Sequence, residues 1–302
     1  MVQADRIKTV AIVGCTAVGK SNTALKLAKR FNGVLIGADS MQIYRGFDIG
    51  TGKLTKSECG DIEHLLIDVV DGDAEFSVGE YVKLADAAVS SAVANGKTPI
   101  IVGGTGLYVN ALLSGSDFGG TAKDADLRNK LKFLAHIFGS RTLHGLLNNV
   151  DKEAAAGISA NDVKRIVRAL EIFALTGVSK TNAVGGQKRY DYLLIVLTLP
   201  RDILYERINK RVAQMFDDGL IDEARSLERY SGCQAMQALG YKQIAEFSDM
   251  PVAELKELTA RKTRNYAKRQ ITYFKNMKLD KVFIDARDYD SVEKCVTEFL
   301  EK

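Results

Sequence analysis

The chain has 302 residues, of which 46% are apolar and 26% charged, the proportions of a folded protein of about two domains. A disordered chain is excluded, and no run approaches the roughly 18 uncharged apolar residues of a spanning helix, so no membrane insertion is expected. Lys and Arg number 42 against 38 Asp and Glu, a net charge of +4 that is too small by itself to mark a nucleic-acid binder.

In chain order, the first half alternates short β-branched runs with longer amphipathic segments. Residues 9–13, 34–36, 65–70 and 99–102 read as strands buried on both faces, the pattern of a parallel sheet covered by helices. Ser77 and Glu80 form a capping box that opens a helix running to Ala94, where Asn95-Gly96 stops it. From about 117 to 190 the chain reads as helix upon helix, with 126–138 and 161–176 the clearest. A strand follows over 192–199, then helices over 202–216, 221–229 and 252–278, and a last short strand over 282–284. The fold class expected is α/β: a P-loop NTPase-like parallel sheet flanked by helices. Its core is discontinuous, 1–117 plus 191–302, with an all-helical insertion over 118–190.

The N-terminus carries charges where a signal peptide needs an apolar stretch. Cys15, Cys59, Cys233 and Cys295 are far apart, with no paired spacing for zinc or a disulfide framework. Reduced thiols and a cytoplasmic location are therefore expected. His64, His136 and His144 show no ligand spacing and read as structural.

The strongest chemical signal is Gly14-Cys15-Thr16-Ala17-Val18-Gly19-Lys20-Ser21, a GxxxxGK[ST] loop between a strand and a helix. Its glycines let successive backbone N–H groups point inward, the helix N-terminus adds partial positive charge, and Lys20 supplies a full one. The Ser21 hydroxyl is placed to ligate Mg²⁺. Asp39 ends the second strand, so its carboxylate points into the ligand crevice; it could hold metal, act as a general base or cap a turn. Gly103, Gly104 and Gly106 end the run at 99–102, either for a second close approach to a ligand or for a tight turn into a helix.

Eight ordered blocks resemble the tRNA dimethylallyltransferases: the loop at 14–21, DSMQIYR at 39–45, DIGTGK at 48–53, GGTGLY at 103–108, RIVRALE at 165–171, LYERINKRVAQM at 204–215, ALGYK at 238–242 and TRNYAKRQITY at 263–273. The resemblance spans nearly the whole chain. It implies transfer of a dimethylallyl group from dimethylallyl diphosphate to N6 of the adenosine 3′ of the tRNA anticodon, position 37, with Mg²⁺ as cofactor. A prenyltransferase acting on free adenine nucleotides and a P-loop small-molecule kinase are the alternatives.

The resemblance also implies roles. The loop residues, Ser21-bound Mg²⁺ and the Arg207/Arg211 pair would neutralise the departing diphosphate, with Arg211 the main contact. Asp39 would take the proton of the attacking amine, with Thr16 and Thr105 as hydrogen-bond partners. Asp39, Ser40, Met41, Gln42 and Thr105 would meet the extruded base, and Asp162, Lys164, Arg165 and Arg168 of the insertion would meet the anticodon stem-loop. Over 251–278, eight lysines and arginines face two glutamates, more excess charge than the whole chain carries. Arg261, Arg264 and Lys268 from this helix are expected on RNA, with Tyr266, Tyr273 and Phe274 interleaved for packing or stacking. A monomer is expected. Cys15 stands where the family usually has proline, which leaves phosphate binding intact and puts an oxidisable thiol nearby.

Overall fold

A computed structural model describes residues 6–115, 124–177, 179 and 190–302. They fall into two compact units, Met1–Ser114 with Lys188–Lys302, and Gly115–Gln187.

The first unit is built on six parallel strands in the order β3-β2-β4-β1-β5-β6. These are β1 (Ile7–Gly14), β2 (Gly33–Gly37), β3 (His64–Leu65), β4 (Thr98–Gly103), β5 (Tyr190–Thr198) and β6 (Val282–Asp285). Central β1 lies between β4 and β5, and Val10, Ala11, Ile12 and Val13 are fully buried, as an unbroken apolar run predicts for a strand covered on both faces. The sheet is flanked by α1 (Lys20–Arg30), α2 (Lys56–Cys59), α3 (Val78–Ala94) and α4 (Gly106–Ser114) before the insertion.

The capping box at α3 forms: Glu80 N–H donates to Ser77 Oγ at 3.3 Å and Ser77 N–H donates to Glu80 Oε2 at 2.7 Å. Gly96, at φ 66°, ends the element in the left-handed region where glycine carries no penalty. The strand expected over 65–70 shrinks to His64–Leu65. Leu66 and Asp68 take φ of 60° and 56°, which breaks the extended run, and Val70 keeps only an isolated bridge to Tyr44.

The second unit consists of α5 (Ala125–Phe138), α6 (Ser140–Val150), α7 (Lys152–Gly157) and α8 (Val163–Thr176). Leu143, Leu147, Ile166 and Val167 form its core. Glu171 is completely buried there, accepting from Arg128 Nε at 2.8 Å, Arg168 at 2.6 Å and the Asp124 N–H at 2.9 Å. Burial alone would raise its carboxyl pKa, but these donors outweigh it and hold the group below the usual range.

After β5 come α9 (Arg201–Asp217), α10 (Leu220–Ser226), α11 (Tyr241–Glu246) and α12 (Val252–Asn276). Then β6 is followed by α13 (Tyr289–Glu301), which the chain-order reading above lacks. Helices α9 and α12 pack antiparallel, since Lys256 meets Asp217 while Arg264 meets Asn209 nearer the start of α9. Among the described residues, no helix is long and apolar enough to cross a membrane.

Candidate active site

The carboxyl ends of β1, β2 and β4 deliver three loops to one cavity of about 270 Å³. The first is the turn from β1 into α1. Gly14, Ala17 and Gly19 adopt φ of 149°, 62° and 111°, the conformations that turn successive N–H groups to one side, and α1 starts directly at Lys20. Lys20 Nζ donates to the Cys15 carbonyl at 2.8 Å. Burial pushes the Lys20 pKa down to about 8, aided by Arg211 and opposed by Cys15 and Asp39.

Asp39, Ser40, Met41 and Gln42, following β2, border the same cavity, as do Thr16, Ala17, Lys20, Ser21 and Arg211. The β2 strand is not beside β1, because β4 intervenes. The loops still converge because Gly103, ending β4, lets the chain after β2 come close. A Cβ there would fall 2.1 Å from the Ala38 carbonyl oxygen. The glycine cluster therefore makes the tight turn into α4, and Gly103 also borders the cavity.

Asp39 serves the turn as well as the cavity, since its Oδ1 accepts the Met41 N–H at 3.0 Å. Thr105 stands one layer back. Its hydroxyl accepts the Ser40 N–H at 2.9 Å and donates to Ser40 Oγ at 3.2 Å, so it positions Ser40, and it is absent from the cavity wall.

Arg207 and Arg211, one turn apart on α9, divide between two adjoining spaces. Both border a second cavity of about 490 Å³ that shares Ala17, Lys20 and Ser21 with the first, but Arg211 alone reaches both. Arg207 donates to the Val18 carbonyl at 3.3 Å and Arg211 to the Thr51 carbonyl at 3.3 Å. The Asp48–Gly52 turn that receives Arg211 is itself pinned: the Glu223 carboxylate accepts the N–H groups of Asp48, Ile49 and Gly50 and the Tyr241 hydroxyl. Gln42 donates its amide to the Thr51 and Gly52 carbonyls at 3.1 and 3.2 Å.

Several expected contacts are already engaged within the protein. Arg264 donates to Asn209 at 2.6 Å and Glu257 at 2.8 Å and is only 19% exposed, so it ties α12 to α9. Arg168 pairs with buried Glu171. Asp162 caps α8 by accepting the Arg165 N–H at 3.1 Å and pairs with the Arg165 side chain at 3.4 Å. Arg261, Lys268 and Lys164 are exposed. Phe274 is buried in the core, while Tyr273 packs against Gly106 and remains 38% exposed. The oxidisable thiol expected at Cys15 is corrected: the residue is 3% exposed and burial pushes its thiol pKa up, away from the reactive thiolate.

Sequence reading gave no chemical role to Gln270, Thr259 or His64, all of which border the cavity. Gln270 accepts the Thr16 N–H and donates to the Gly104 carbonyl. Thr259 is 2% exposed, with a hydroxyl that has no hydrogen-bond partner. His64, read as structural, borders the cavity with an unpartnered Nε2, and burial pushes its pKa down to about 4 so the ring is neutral. The α12 residues were detectable in principle, because Thr259, Thr263, Tyr266 and Gln270 recur at helical spacing on one face.

Fold and site define a P-loop protein with a carboxylate and a half-buried arginine converging on its anion loop. The IPP transferase family model matches residues 42–277, and the chain belongs to that family. It is 43% identical over 297 residues to the tRNA dimethylallyltransferase of Halalkalibacterium halodurans, covering 96% of this chain and 94% of the relative. It is 44% identical over 280 residues to that of an Exiguobacterium species, covering 91% and 89%. A solved tRNA isopentenylpyrophosphate transferase from Bacillus halodurans superposes with TM-score 0.73 at 41% identity, over 98% of this chain and 97% of that one. A eukaryotic dimethylallyltransferase solved acting on tRNA superposes with TM-score 0.83 at 26% identity, over 97% and 79%.

Proposed function

We propose that the chain transfers the dimethylallyl group of dimethylallyl diphosphate to N6 of adenosine 37 in tRNA, releasing pyrophosphate. The observation that carries this reading is the convergence of the anion loop, Arg211 and Asp39 on one cavity. The allylic C1–O bond breaks as the leaving diphosphate meets backbone N–H groups, Lys20 and Arg211 in a poorly hydrated pocket, where such charges act strongly. C1 bonds to the adenine nitrogen, whose lone pair is otherwise delocalised into the ring, and Asp39 takes the proton that nitrogen sheds. The base reaches the cavity only by leaving its stack.

Mg²⁺ suits these residues. Among the described residues there is no cluster of three or more His, Cys, Asp or Glu that could cage an ion. A Ser21 hydroxyl beside the anion loop fits a cation that keeps its waters and is carried largely by phosphate oxygens. When bound, it supplies further neutralisation of the leaving group.

Lys268 and Arg261 on α12 and Lys164 on α8, all exposed, are assigned to the RNA backbone. The cytoplasm is proposed as the protein's place of work and the monomer as its working unit. The relatives are named for tRNA, which favours this reading over a free-nucleotide prenyltransferase or a kinase. Incubation with unmodified tRNA, Mg²⁺ and labelled dimethylallyl diphosphate tests it: label enters the RNA, and ATP turnover without label would select the kinase.

A further inference from the structure

In a P-loop, each backbone N–H turned toward the cavity adds a donor to the anion cradle. The Thr16 N–H is already committed, donating to Gln270 Oε1 at 2.8 Å. The other end of the same amide donates from Nε2 to the Gly104 carbonyl at 2.9 Å. Reversing the amide would set two donors face to face at Thr16 and two acceptors at Gly104, so this pair of contacts dictates which end meets the loop.

Gln270 is 6% exposed and sits within the 25-residue helix α12, so its amide is a fixture and not a mobile surface group. It borders the same cavity as Lys20 and Asp39. Its Oε1 therefore does two things at the front of the loop. It consumes a donor, and it sets partial negative charge beside Thr16 at the cavity wall.

We propose that Gln270 determines donor specificity by withdrawing the Thr16 N–H from the cradle, leaving residues 17–21 to hold a two-phosphorus leaving group and disfavouring three-phosphorus anions. With its N–H spent, Thr16 meets the cavity through its side chain. The inference rests on the function proposed above and deepens it, naming what restricts the anion site to diphosphates.

The test is direct binding, by calorimetry on the full chain, of inorganic pyrophosphate and of tripolyphosphate, each with Mg²⁺. Because no prenyl transfer is involved, its failure is distinguishable from failure of the labelling assay. The parent protein is expected to bind pyrophosphate more tightly than tripolyphosphate; equal or reversed affinity overturns the proposal. Gln270→Met removes Oε1 and frees the N–H, and the ratio of the two affinities is expected to move about tenfold toward tripolyphosphate, the size of one charge-assisted hydrogen bond. An unchanged ratio in a variant that melts at the parent temperature overturns it. Gln270→Glu keeps an oxygen facing Thr16 and adds a full negative charge, so it is expected to weaken both anions and to hold the parent preference or move it further toward pyrophosphate. A ratio that moves toward tripolyphosphate in folded Gln270→Glu counts against the proposal even if Gln270→Met does not fold.

Discussion

Asp39 Oδ1 accepts the Met41 N–H at 3.0 Å, so the cap of the turn after β2 and the candidate base are one carboxylate. Asp39→Asn keeps an acceptor for Met41 but cannot take a proton. Transfer is expected to fall by about 10²–10⁴-fold, the usual worth of general-base catalysis, with tRNA affinity within about threefold of the parent. Asp39→Ala loses the cap as well and should also weaken RNA binding. Single-turnover rates beside filter-binding titrations make the check, and an Asn variant working at the parent rate removes the base assignment.

Lys20 gives the free enzyme an alkaline limb. Burial brings its pKa down to about 8, so above that pH a growing fraction of the anion loop lacks its full positive charge. The kcat/KM for the diphosphate donor is expected to be level below about pH 7.5 and to fall above 8, because this parameter reports the unliganded enzyme. In Lys20→Arg, whose guanidinium stays protonated, the fall should disappear at the cost of a lower plateau. A limb that persists in that variant would belong to another group.

Two basic residues of α12, Lys268 and Arg264, should separate under salt. Lys268 is exposed, and Lys268→Ala is expected to reduce the slope of log affinity against log salt by about 0.7–0.9, equally for different tRNA sequences. Arg264, tied to Asn209 and Glu257, should leave the slope nearly unchanged on conversion to Ala and instead cost about 1 kcal/mol of stability. Equal slope changes in the two variants would return Arg264 to the RNA surface.

Glu171 sets an acid limit for the helical unit. Its pKa is depressed in the folded chain, so its contribution is fully present above the unfolded carboxylate value of about 4.3 and disappears as pH drops through the lower folded value. Hydrogen exchange of α8 amides in the full chain should therefore accelerate steeply below about pH 4. Glu171→Gln is expected to flatten that limb and to cost about 2–4 kcal/mol at neutral pH, because two arginines lose their shared buried anion.

The sheet strands, the α3 cap and the P-loop were legible because each depends on residues adjacent in sequence. Period, cap spacing and glycine placement carried them. The strand over 65–70 failed because left-handed backbone at Leu66 and Asp68 leaves no hydropathy signal. The helix α13 was passed over although Asp288 caps it through the Ser291 N–H and Val292 and Val296 repeat at four residues. Basic residues looked alike in sequence; Arg264 is set apart by Asn209 on α9 and Glu257 two turns back on its own helix, and Arg168 by Glu171 three residues on, while Lys268 is exposed. Gln270 stayed hidden because its two partners lie 254 and 166 residues away.

That separation also governs the order in which the protein can become active. Strand β1 cannot gain its β5 neighbour until the ribosome has made residues 190–198, and the amide that fixes Thr16 emerges later still. The earliest catalytic loop to be synthesised is thus among the last to be completed. Slow closure follows from such long-range pairing, and a chain interrupted before α12 would display an unfinished anion loop.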